Sequence, residues 1–104
     1  KDVAWSGPTL ERMIAKDGTL VLEFGNAAGG LVAKGGVLAG FAIAGEDGRY
    51  AWADGRIDGN RVVLSSPAIP SPSLVRYAWD DDPEVSLFNG EGLPASPFKA
   101  EVGK

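Results

Sequence analysis

No histidine and no cysteine occur among the 104 residues. That removes every Ser-His-Asp and Cys-His arrangement, because the imidazole is the base that takes the nucleophile's proton. The serines Ser6, Ser65, Ser66, Ser71, Ser73, Ser86 and Ser96 have no such partner. A Ser-Lys pair would need a desolvated lysine, whereas Lys1, Lys16, Lys34, Lys99 and Lys104 fall in turns or near the chain ends. No catalytic residue is assigned. Asp80-Asp81-Asp82 with Glu84 is the densest carboxylate run, and hard cations such as calcium take clustered carboxylate oxygens. The spaced D-x-D-x-D-G pattern of a calcium loop is absent, so the run reads as a solvated turn, with no metal and no cofactor expected. Paired acids for glycoside hydrolysis must face each other across a cleft, and the sequence singles out no such pair.

The aromatic residues carry the open question. Flat rings stack on sugars, but they also dominate small cores. Tyr77 and Trp79 share a strand face with Val75 and are expected inside. Tyr50 and Trp52 share a face of their strand, with Ala51 and Ala53 on the other. The small alanines can line the core, which would leave Tyr50 and Trp52 outside as candidate ligand-binding residues. Trp5 is expected to cover a sheet edge or a seam with a preceding domain. Arg76 sits inside an apolar strand, where a guanidinium needs solvent, a carboxylate or several carbonyls. It reads either as an outward residue on a wet sheet face, or as a clamp on the segment from Asn89 to Phe98 or a contact to another domain.

The elements that position these residues are short strands. Thr19 to Phe24 alternates, with Leu20, Leu22 and Phe24 on one face. Leu10 to Ala15 hints at a helix but reads as a strand. Phe41 and Ile43 share a face, Gly45 to Gly48 turns the chain, and Arg49 to Ala53 returns it. Asp58-Gly59-Asn60 between Arg56-Ile57 and Arg61 to Leu64 is the clearest hairpin, since these residues supply the positive φ of a tight primed turn. Asn26 to Gly30 reads as a loop and Gly35-Gly36 as a turn. Pro67, Pro70 and Pro72 exclude a central strand and mark an extended crossover between sheets. Leu74 to Trp79 is the last strong strand, with Leu74, Arg76 and Ala78 opposite Val75, Tyr77 and Trp79. Val85 to Phe88 reads as a short final strand. Six or seven such strands form a single all-β domain, a two-sheet antiparallel sandwich with immunoglobulin-like or fibronectin type III-like connections. A jelly roll is the alternative.

Composition narrows the partners. The 15 glycines and 7 prolines, without a collagen period, mean many turns. The net charge is −4 with ten scattered basic residues, so no nucleic-acid backbone is expected as a partner. No apolar run is long enough for a membrane span. The chain begins at Lys1 and is expected to be part of a longer polypeptide. A core is within reach at this length, where roughly 65% of the unfolded surface is buried on folding.

Several blocks, in order, carry a resemblance: Trp5-Ser-Gly-Pro8, Gly29-Gly-Leu-Val32, Gly40-Phe-Ala-Ile-Ala-Gly-Glu-Asp47, Ile57-Asp-Gly-Asn-Arg-Val-Val63, Ser65-Ser-Pro67, Leu74-Val-Arg-Tyr-Ala-Trp79 and Asn89-Gly-Glu-Gly-Leu-Pro-Ala-Ser-Pro-Phe98. Together they resemble the C-terminal end of the sialate O-acetylesterase family, SGNH-type carbohydrate esterases that remove acetyl groups from sugars. The family's serine nucleophile and Asp-x-x-His element find no counterpart here. The resemblance therefore implies a non-catalytic C-terminal accessory domain of a larger serine esterase, packed on the catalytic SGNH domain of the same polypeptide. Trp5, Arg76, Asn89, Leu93, Pro94 and Phe98 are the candidates for that domain interface. The parent enzyme would be secreted, periplasmic or lysosomal. The alternative is a carbohydrate-binding module that holds an acetylated glycan on exposed aromatics.

Overall fold

Alternation of apolar and polar residues sets the architecture. In the computed structural model, which describes residues 7–25, 29–33, 38–78, 86–90, 92–95 and 97–102, no described residue is helical. Ten strands follow in order: β1 (Thr9–Lys16), β2 (Thr19–Gly25), β3 (Leu31–Ala33), β4 (Phe41–Ala44), β5 (Ala51–Trp52), β6 (Asp54–Asp58), β7 (Arg61–Ser65), β8 (Leu74–Tyr77), β9 (Leu87–Asn89) and β10 (Phe98–Glu101). One four-stranded sheet has the order β1-β2-β7-β6, a second β10-β8-β4-β5, and β3 pairs β9 in a two-stranded ladder. Every pairing between these strands is antiparallel. The chain is an all-β sandwich, as the sequence implies.

Two tight turns pin the register of the first sheet. Asp58 pairs Arg61 across Gly59-Asn60, with Gly59 at φ 64°. Lys16 pairs Thr19 across Asp17-Gly18, where both turn residues have positive φ, 52° and 78°. That is the dihedral pattern of a type I′ turn, whose twist matches the flanking strands. Leu10 to Ala15 is strand within β1, with a register shift between Leu10 and Arg12. The proline-rich stretch does cross from β7 in one sheet to β8 in the other.

Sheet faces meet over Leu20, Leu22 and Phe24 of β2, Val62 and Leu64 of β7, Phe41 and Ile43 of β4, and Val75 and Tyr77 of β8. An aromatic cluster joins the two sheets. The Tyr77 ring lies 4.4 Å from Phe41 and 5.5 Å from Phe98, and Phe98 lies 6.0 Å from Phe24. These separations fall in the range where aromatic pairs attract beyond their buried area. The Tyr77 hydroxyl accepts from the backbone N–H of Ser86 at 2.9 Å and of Leu87 at 3.0 Å. The Ser86 hydroxyl in turn accepts from Ala39 N–H and donates to the Ala39 carbonyl. This network ties the start of β9 to β8 and to the approach to β4. Among the described residues, no buried side-chain polar atom lacks a hydrogen-bond partner.

The structure differs from the sequence reading in four places. Ten strands are described, because β3 and β10 are too short to show a pattern. The segment Arg49 to Ala53 is strand only at Ala51–Trp52. The chain then changes sheets at Ala53, whose N–H donates to the Phe41 carbonyl at 3.0 Å. Ala78 leaves the Arg76 face, since its φ of 54° ends the strand after Tyr77 and turns the residue into the interior. Strand β9 is followed by β10, so it is not the final strand. The expected loop and turn at Asn26 and Gly35-Gly36, the carboxylates Asp80 to Asp82 and Glu84, and the residues Trp5 and Trp79 lie outside the described residues or begin there.

Candidate functional site

The outward face of the second sheet brings charged and aromatic residues together. Antiparallel register aligns Lys99 with Arg76, Arg76 with Ala42, and Ala42 with Trp52. Glu101, Leu74 and Ala44 form the next row. Tyr50 precedes Trp52 by two residues, the spacing that returns a side chain to the same face of an extended chain. A floor of two alanines is thus flanked by Tyr50 and Trp52 on one side and by Leu74 and Arg76 on the other. Ala42 and Ala44 are buried although they point away from the core, which makes all four residues of β4 buried.

Arg76 reaches across this floor. Its guanidinium carbon lies 4.2 Å from the centre of the Tyr50 ring. A guanidinium over an aromatic face is attracted by the ring quadrupole, worth about 0.5–1 kcal/mol at exposed sites. The stack leaves the edge of the guanidinium, with its N–H donors, for another acceptor. Trp52 is 71% exposed and, with Val32 at 44%, is one of two large apolar side chains on the surface among the described residues. Tyr50 is half-buried under Arg76. The sequence pattern finds Tyr50 and Trp52 together and outward. It does not find that Arg76 belongs with them.

Of the two readings of Arg76, the structure shows it on the outward face of its sheet, and Asn89 makes the hydrogen bonds at the start of the segment from Asn89 to Phe98. Arg76 lies over Tyr50, while Asn89 closes its own turn. Its side-chain oxygen accepts from Leu93 N–H at 3.1 Å, its backbone N–H donates to the Leu93 carbonyl, and its carbonyl accepts from Gly92 N–H, both at 3.0 Å. Asn89 is therefore inside the protein, 3% exposed. Leu93 is half-buried, Pro94 is exposed and bridges Phe88, and Phe98 opens β10 against the Tyr77 ring. Gly7 packs so closely on the Leu93-Pro94 backbone that a side chain there would overlap it. Trp5 lies outside the described residues.

Of the shallow clefts elsewhere on the described surface, two hold more than one carboxylate. One, between the turn at Glu46-Asp47 and the crossover at Ile69 to Ser73, holds carboxylates and serines but no imidazole or lysine. The other, at the tip of the β6–β7 hairpin, sets Glu11, Glu23 and Asp58 beside Arg61 and Asn60. Among the described residues no group of three His, Cys, Asp or Glu is placed to hold a metal ion. The arrangement on the second sheet can stack and hydrogen-bond a ligand.

No protein-family model matches the chain, and no curated protein matches it. Among solved structures, the chain is similar to a carbohydrate acetylesterase from Xanthomonas citri, with 37% identity and a TM-score of 0.85. The match covers 97% of this chain and 24% of that enzyme, so the chain spans about a quarter of its length. Identity at that level, over nearly the whole chain, goes beyond the likeness of a shared fold alone.

Proposed function

We propose that this chain is a non-catalytic accessory domain of a carbohydrate O-acetylesterase, packed on the catalytic SGNH module of the same polypeptide. The observation that carries the reading is the end-to-end likeness to one quarter of the Xanthomonas citri carbohydrate acetylesterase. The absence of histidine supports a domain without its own hydrolytic centre. In the parent enzyme, a serine nucleophile with an oxyanion hole would perform ester hydrolysis, and this domain would hold that module's geometry or shape the rim of its cleft. The resemblance of the chain's motifs to the sialate O-acetylesterase family makes an O-acetylated sialic acid one substrate to try beside acetylated plant polysaccharides.

The test compares three proteins: the chain alone, the full polypeptide, and the full polypeptide lacking residues 7–102. Acetate release is followed from 4-nitrophenyl acetate, acetylated xylan and O-acetylated sialic acid. The expected result is no turnover by the chain, turnover by the full polypeptide, and a less stable truncated enzyme. Hydrolysis by the chain alone overturns the non-catalytic role. A full polypeptide that releases no acetate overturns the esterase assignment. A second reading, a carbohydrate-binding module, is favoured by one observation: the 71% exposure of Trp52.

A further inference from the structure

The geometry points to a glycan-binding face on this domain, formed by Trp52, Tyr50 and Arg76 and suited to a pyranose that carries a carboxylate. The choice of a glycan rests on the carbohydrate-esterase reading above; the choice of an acidic one rests on the face itself. Trp52 offers a flat, apolar and exposed ring to the C–H face of a sugar, and a sugar ring on it would exclude water from both. Beside it, Arg76 reaches from the far side of the Ala42 floor and lies over the Tyr50 ring. That contact holds the guanidinium near one position before any ligand arrives, so less freedom is lost on binding. A guanidinium donates two parallel hydrogen bonds to a carboxylate, a geometry that a neutral hydroxyl does not match.

Spacing supports one occupant spanning both groups. Trp52 and Arg76 lie two strands apart in register, and neighbouring strands are separated by about 4.8 Å. Their backbones are therefore roughly 10 Å apart, and Arg76 reaches over the small alanines to Tyr50, two residues from Trp52. One sugar ring on Trp52 with its carboxylate, or the next residue's carboxylate, against Arg76 fills that interval. On this face the positive charge that a carboxylate would meet is that of Arg76, with Glu101 in the next row.

A titration of the 15N-labelled chain, followed by the Trp52 indole N–H signal, tests this with four probes. Sialyllactose and a glucuronic acid-bearing xylo-oligosaccharide supply the carboxylate from two sources, and lactose and neutral xylotetraose are their controls. Saturable shifts are expected with at least one acidic probe, bound on the order of tenfold or more tightly than its neutral control, the difference expected of a charged hydrogen bond. The acidic sugar that shifts Trp52 identifies the source. Arg76→Gln should abolish the preference while leaving residual neutral binding, and Trp52→Ala should abolish binding to all four. Both positions are on the surface, and unchanged amide spectra confirm that the variants fold. Equal binding of acidic and neutral probes overturns the carboxylate assignment. No shift up to 10-millimolar-range ligand, on the order of the weakest useful sugar affinities, overturns the site. Either failure leaves the esterase reading standing, because acetate release by the full polypeptide is measured separately. If Trp52→Ala and Arg76→Gln leave sugar binding intact but release the catalytic module, the face is an interdomain contact and the proposal is wrong.

Discussion

Replacing Tyr77 by Phe removes one oxygen from the centre of the domain and nothing else. The ring keeps its place against Phe41 and Phe98, so the aromatic packing is retained. What disappears is the acceptor for the N–H groups of Ser86 and Leu87, both in buried residues. A buried donor left without a partner costs about 1–3 kcal/mol. Two donors share this acceptor and are adjacent in the chain, so their costs overlap, and about 2–4 kcal/mol is expected in total. With an unfolding entropy of about 2.1 cal/mol/K per residue, a loss of 3 kcal/mol lowers Tm by roughly 14 °C for a chain of this length. A domain with the usual stability of about 5–15 kcal/mol would still fold. Urea unfolding followed by tryptophan fluorescence gives the free energy, and amide exchange localises it. Protection should fall first at Ser86 and Leu87 and then along β9 and its partner β3, with β2 and β7 least affected below global unfolding. A loss below about 0.5 kcal/mol, within the range of ordinary surface substitutions, would refute the reasoning. So would a uniform fall in protection across both sheets.

Ser86→Ala removes the paired hydrogen bonds to Ala39 and should cost about 1–3 kcal/mol, measured by the same unfolding experiment. Combined with Tyr77→Phe it should be less than additive, because both changes loosen the same segment. Gly90→Ala places a methyl group 2.6 Å from the Gly29 backbone, where neither chain can yield cheaply, and should cost about 1–3 kcal/mol. A Tm unchanged within 2 °C, which corresponds to about half a kcal/mol, would show that the loops move apart freely. Arg76→Ala, by contrast, should cost no more than about 1 kcal/mol, the value of an exposed cation–π stack, and leave exchange along the segment from Asn89 to Phe98 unchanged. A loop released by that change would restore Arg76 as its clamp.

The sequence reveals what is local. Asp58-Gly59-Asn60 announces its turn because few residues tolerate positive φ, and the Asp17-Gly18 turn carries the same signal. Leu20, Leu22 and Phe24 announce a buried face by period alone. The outward position of Tyr50 and Trp52 follows from the small residues between and after them. Non-local pairings are where reading stops. Arg76 finds Tyr50 only because β8 and β5 both pair β4, and no spacing along the chain encodes that order. The burial of Ala42 and Ala44 on the solvent side has the same origin, since it depends on which long side chains flank them. Strand β10 begins at Phe98 with four residues, too few for an alternation to stand out from the Pro97 turn before it. Phe98 therefore carries no strand signal in the sequence, yet it is one quarter of the aromatic cluster.

Neighbouring residues of β8 point the two halves of this structure in opposite directions. Tyr77 is turned inward and holds the start of β9, while Arg76 is turned outward and lies on Tyr50. Because β8 and β4 are the inner strands of their sheet, the face that carries Arg76 is built on backbone hydrogen-bonded on both sides. A binding group gains precision when it stands on such rigid elements and not on a loop. Trp52 is differently placed. It belongs to β5, the two-residue strand at the sheet edge, one residue before the chain leaves for the other sheet. A short edge strand that changes sheets offers little backbone for another chain to pair with, so the exposed Trp52 ring is presented without an exposed ladder beside it. That combination fits recognition through a side-chain plane more than through strand addition, and it is why the sugar titration reads the indole of Trp52 and not the backbone of β5.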